Sequence, residues 1–153
     1  MPALIIIDEW LLNDLYGNND DNQEKALRFI VRLAKTSDKI IILHNSPFEA
    51  KMFRFIKMSE NNNLLNSLSK LFHNSIVRNS SKTLFLNEED LKPISPKLLK
   101  LIPEDDVYLF QAHLSVKDSF ILTSDERWPQ KLIQHKSVKV LMRDAFLKKY
   151  LKV

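Results

Sequence analysis

Five acidic residues are the ones whose types and spacing could do chemistry in this chain. Asp8 ends the apolar run Leu4-Ile5-Ile6-Ile7, and Asp125 follows Phe120-Ile121-Leu122 through Thr123-Ser124. Glu49 lies three residues after Ser46 in Ser46-Pro47-Phe48-Glu49, and Asp105-Asp106 follow Pro103-Glu104. Carboxylates are hard oxygen donors, and a few of them are what Mg²⁺ or Mn²⁺ takes while keeping several waters. Such a cluster is costly to assemble unless a cation joins it, because like charges at close range repel. The chemistry at stake is therefore that of a bound divalent cation.

Each acid also has an ordinary role. Aspartates favour turns and caps, so Asp8 reads as a strand-end turn and Asp125 as the N-cap of a helix through Trp128. Glu49 completes a capping box with Ser46. Asp105 and Asp106 complement the positive end of a helix dipole. What turns five ordinary acids into one site is a shared sheet edge, which capping does not require.

The elements that must position them follow from pattern. Short β-branched runs read as buried strands of a parallel sheet, expected over 3–8, 39–43, 82–86, 119–122 and 138–141. Helices are expected over 23–35, where Ala26, Phe29, Ile30 and Leu33 keep helical spacing, and also near 10–15, 47–58, 64–72, 97–101 and 144–151. Another opens at 103–106 and carries Val107, Tyr108, Leu109 and Ala112. Strands alternating with helices imply an α/β fold with a central parallel sheet covered on both faces. The 153 residues fit one domain, 1–153.

Composition narrows the function classes. A single glycine, Gly17, excludes the glycine-rich loops that cradle dinucleotides or nucleoside triphosphates. The absence of cysteine excludes thiolate chemistry and fits a cytoplasmic chain. His44, His73, His113 and His135 form no paired-ligand motif. No apolar stretch approaches the length of a membrane span. The start, Met1-Pro2-Ala3, lacks the basic region of a signal peptide. A net charge of +4 permits nucleic-acid binding without requiring it.

Taken together, the motifs resemble the PIN domain, a family of metal-dependent ribonucleases that includes the toxins of toxin–antitoxin pairs. Four pieces appear in family order: Ile5-Ile6-Ile7-Asp8 with Asn13; Ile40 to Leu43 with Ser46 and Glu49; Asp105-Asp106 with Ala112; and Thr123-Ser124-Asp125. The chain departs from the family where Ser115-Val116-Lys117-Asp118 stands in place of glycine and alanine.

The resemblance implies a PIN-like three-layer α/β/α fold and a Mg²⁺- or Mn²⁺-dependent endoribonuclease. Asp8, Glu49, Asp106 and Asp125 would be catalytic. Asp8, Glu49, Asp105 or Asp106, and Asp125 would hold the metal, with Asn13, Ser46, Thr123 and Ser124 orienting them. Lys51, Arg54 and Lys57 recur at helical spacing beside Glu49, a stripe that is either a contact for RNA phosphates near the metal or a solvated helix face. The apolar stretch Phe48, Met52, Phe53, Phe55, Ile56 and Met58 offers a face for an antitoxin or a second copy, or else a helix buried on two sides. The alternative is a PIN-like domain that has lost catalysis and acts as an RNA-binding or assembly module. A receiver-like domain with Asp8-Glu9 as its acidic pair is a third reading.

Overall fold

A computed structural model describes residues 2–17 and 19–152. Five parallel strands form one sheet in the order β3-β2-β1-β4-β5. They are β1 (Leu4–Ile7), β2 (Lys39–Leu43), β3 (Thr83–Leu86), β4 (Ser119–Thr123) and β5 (Val140–Met142). Ile7 lies opposite Leu122, so the chain leaves β1 and β4 side by side.

Side chains alternate across the sheet, as strand geometry requires. Ile5, Ile7, Ile40, Ile42, Phe120 and Leu122 face one core. Ile6, Ile41, Leu43 and Ile121 face the other. The first face is covered by α1 (Trp10–Leu15), α2 (Asp20–Lys35), α3 (Pro47–Met58), α4 (Asn63–Phe72) and α8 (Arg143–Tyr150). The second is covered by α5 (Pro96–Leu99), α6 (Val107–Ser115) and α7 (Gln130–Ile133). The architecture is the expected three-layer α/β/α sandwich.

From β1 the chain steps outward to β2 and β3, then returns to the other side of β1 as β4 and β5. The reversal leaves a crevice beyond the carboxyl ends of β1 and β4, where ligands of open α/β sheets bind. Asp8 and Asp125 emerge there.

Helix starts follow the sequence closely. Asn19 caps α2 by accepting from Asn22 N at 3.0 Å, which moves the helix start ahead of the expected residue 23. Ser46 caps α3 by accepting from Glu49 N at 3.3 Å, with Pro47 in the first turn. Two turns use left-handed backbone at residues other than glycine: Asn45 (φ 63°) before α3 and Asp118 (φ 65°) before β4. Asparagine and aspartate tolerate that region best among L-residues. Among the described residues, no helix is long and apolar enough to cross a membrane.

Candidate functional site

Beyond the ends of β1 and β4 lies an open cleft of about 560 Å³, lined by Asp8, Asn13, Asp105, Asp106, Ser124 and Asp125, with Glu9, Trp10, Glu126 and Arg127. Three segments distant in sequence thus meet at the sheet's switch point. Four of the five expected acids line the cleft.

The hydroxyl of Thr123 organises two of them. Fully buried at the end of β4, it donates to Asp8 Oδ2 at 2.7 Å and accepts from Asp125 N at 3.0 Å. Asp8 Oδ1 accepts from Glu9 N at 2.7 Å, so both oxygens of Asp8 are oriented by the chain. The backbone beneath is locked as well. Leu122 O accepts from Asp8 N at 3.2 Å and from Trp10 Nε1 at 3.0 Å.

Asp106 is the half-buried member. A 3-10 turn, Glu104–Asp106, precedes α6, where the sequence suggested that the helix itself begins. Asp106 sits at the N-cap of α6 but makes no capping bond; its Oδ2 accepts from Trp128 Nε1 at 3.0 Å. Burial pushes its carboxyl above the ordinary range, against the pull of the Trp128 hydrogen bond, and the charges of Asp8, Asp125 and Asp105 push it further. Asp105 lines the same cleft from a more exposed position.

Asp125 is not a helix cap. It forms an Asx turn, its Oδ1 accepting from Arg127 N at 2.9 Å, and α7 begins only at Gln130. The Arg127 guanidinium also donates to Oδ1 at 3.1 Å and Oδ2 at 3.4 Å. These bonds hold the carboxyl of Asp125 below the usual range. The Arg127 side chain is 91% exposed, so solvent and salt screen the pair.

Glu49 is not brought into the cleft. Its Oε2 lies 2.8 Å from His44 Nδ1, and its Oε1 accepts from Asn45 N at 3.0 Å. Both oxygens and the Ser46 hydroxyl therefore serve the β2–α3 turn, with the His44 ring stacked on Phe85 at 4.7 Å. Lys51, Arg54 and Lys57 lie on α3 and do not line the cleft; Lys51 Nζ sits over the Phe55 ring at 5.8 Å. On the same helix Phe48 and Met52 are buried, whereas Phe53 and Met58 are 56% and 64% exposed.

Sequence did not single out Trp10, Glu126 and Arg127, which line the cleft, or Tyr108 and Trp128 beside it. Trp10 and Arg127 each lie two residues past an expected ligand, which is the signal that could have found them. Tyr108 has its hydroxyl buried with no partner among the described residues. Burial raises its pKa strongly, and the nearby charges of Asp8, Glu9 and Asp106 add to the shift.

No protein-family model, curated protein or solved structure matches the chain. The case for a metal therefore rests on the cleft itself. Its donors are hard oxygens and four carboxylates converge on it, so donor type and charge both suit a divalent cation. A single shared coordination sphere does not fit: among the described residues, no three acidic or histidine side chains stand close enough to hold one ion. The carboxylates are instead held by Thr123, Trp128 and Arg127.

Proposed function

We propose that the chain is a Mg²⁺- or Mn²⁺-dependent endoribonuclease of the PIN type, working on RNA in the cytoplasm. The observation that carries this reading is the convergence of Asp8, Asp105, Asp106 and Asp125 on one open cleft at the switch point of the sheet. A bound divalent cation would lower the pKa of a water and neutralise charge on the phosphate. Asp8, Asp106 and Asp125 would hold it through its bound waters rather than as three direct ligands, with Asp105 at the rim. Thr123 fixes the orientation of Asp8 and the turn that presents Asp125, as partners of metal ligands commonly do. Asn13 and Ser124 offer neutral polar groups on the cleft wall.

One observation favours a second reading, a domain that has lost catalysis and acts as an RNA-binding or assembly module. Arg127 holds both oxygens of Asp125, as a built-in cation would. Cleavage separates the two readings. Purified chain incubated with labelled RNA and Mn²⁺ or Mg²⁺ is expected to cut it, and Asp8→Asn or Asp125→Asn is expected to abolish cutting with the circular dichroism spectrum unchanged. Absence of metal-dependent cutting leaves the second reading, and cutting that survives both substitutions shows that the acidic cleft is not where it occurs.

A further inference from the structure

A second groove lies between α2 and α8, and its charge is opposite to that of the cleft. It has a volume of about 840 Å³, and Lys25, Arg28, Lys148, Lys149 and Lys152 line it above Leu147 and Leu151. Lys25 pairs with the exposed Asp21 at 3.1 Å within its own helix, an arrangement that solvent screens heavily. Arg28 Nη2 donates to Leu151 O at 3.2 Å, fastening the end of α8 to α2. Among the described residues, Arg28, Lys148 and Lys149 have no carboxylate within ion-pair distance. The positive line continues along α2. Arg32 and Lys35 border the adjoining hollow, and positions 25, 28, 32 and 35 share one helical face, a stripe about 15 Å long.

We infer that this groove binds the phosphodiester backbone of a single RNA strand and leads it toward the acidic cleft. Cations facing one another across an open groove repel, and a polyanion relieves that repulsion while releasing its own counterions. A chain of side chains joins the groove to the cleft. Asp144, which also lines the groove, accepts from Arg143 Nε at 2.9 Å. Arg143 also pairs with Asp14 at 3.0 Å and lies over the Trp10 ring at 5.9 Å. Trp10 is a wall of the cleft. An anionic membrane is the poorer occupant, because surface-binding helices insert exposed apolar side chains. The most exposed large ones here, Phe53, Met58 and Leu64, belong to α3 and α4, and Leu147 of the groove is buried.

The choice of RNA rests on the nuclease reading, so binding is measured without metal and the two can fail separately. Fluorescence anisotropy of a short labelled single-stranded RNA, in EDTA over a range of KCl, compares wild type with two double variants at exposed lysines. Lys148→Gln/Lys149→Gln is expected to make the plot of log affinity against log salt shallower by about 1.4, at about 0.7 for each phosphate that a lysine no longer neutralises. Lys148→Glu/Lys149→Glu is expected to weaken binding roughly tenfold or more at moderate salt. Lys97→Gln on α5, an exposed lysine on the other face of the sheet, is expected to bind as wild type. Both double variants binding RNA like wild type overturns the inference. So does a wild type that ignores RNA but binds phosphatidylserine-containing vesicles through these lysines. A chain that binds RNA through this groove yet cuts none sinks the nuclease reading alone.

Discussion

Thr123 holds two of the candidate ligands with one hydroxyl, and Trp128 holds a third through its indole N–H. This division of labour leaves Asp106 half-buried among like charges, with its carboxyl raised. The folded chain therefore keeps a proton on Asp106 to higher pH than the unfolded chain does. Stability falls as pH rises from the ordinary carboxylate range through that raised value, and stays lower above it. Asp106→Asn removes the charge and keeps an oxygen for Trp128. The variant is expected to melt above wild type at neutral pH, with the gap closing on acidification, in thermal unfolding followed by circular dichroism. A midpoint at or below that of wild type at neutral pH would show that the ionised carboxylate is not under strain. Stability given up at a few residues is the usual mark of a site kept for function.

Among the elements, α1 does most to join core and cleft. It buries Trp10, Leu11, Leu12 and Leu15 and presents Asn13 to the cleft. It closes at Gly17, where an added Cβ would stand 2.4 Å from Asn13 O. That backbone approach admits no side chain. Gly17→Ala is expected to cost about 1–3 kcal/mol, the usual range for overpacking, read from urea unfolding. A neutral result would show that the end of α1 adjusts freely. Most elements were legible from pattern because burial alternates in strands and repeats every three to four residues in helices. The starts of α2 and α3 were legible from their polar caps. The start of α6 was not, because Pro103 and three acids fit a 3-10 turn as well as a helix. The turn before β4 takes left-handed backbone at Asp118, a residue type that tolerates this region better than most.

At the scale of the whole molecule, the strand order explains why residues from both ends of the chain meet. Asp8 and Asp125 were legible as partners because both follow buried strands, and ligands gather at that edge. The fate of Glu49 was not legible. A glutamate three residues after a cap serves the helix start or a nearby site with the same sequence, and only the position of His44 and Asn45 decides between them. The grip of Arg127 on Asp125 was hidden for the same reason. Charge is also divided across the molecule, with acids at the sheet's switch point and cations along α2 and α8. The central claim is that the acidic cleft takes a divalent cation. Calorimetric titration of Mn²⁺ into the purified chain tests it most directly. Saturable binding in wild type, lost in both Asp8→Asn and Asp125→Asn, is the result expected. No saturable heat in wild type, or binding that survives both substitutions, would contradict it.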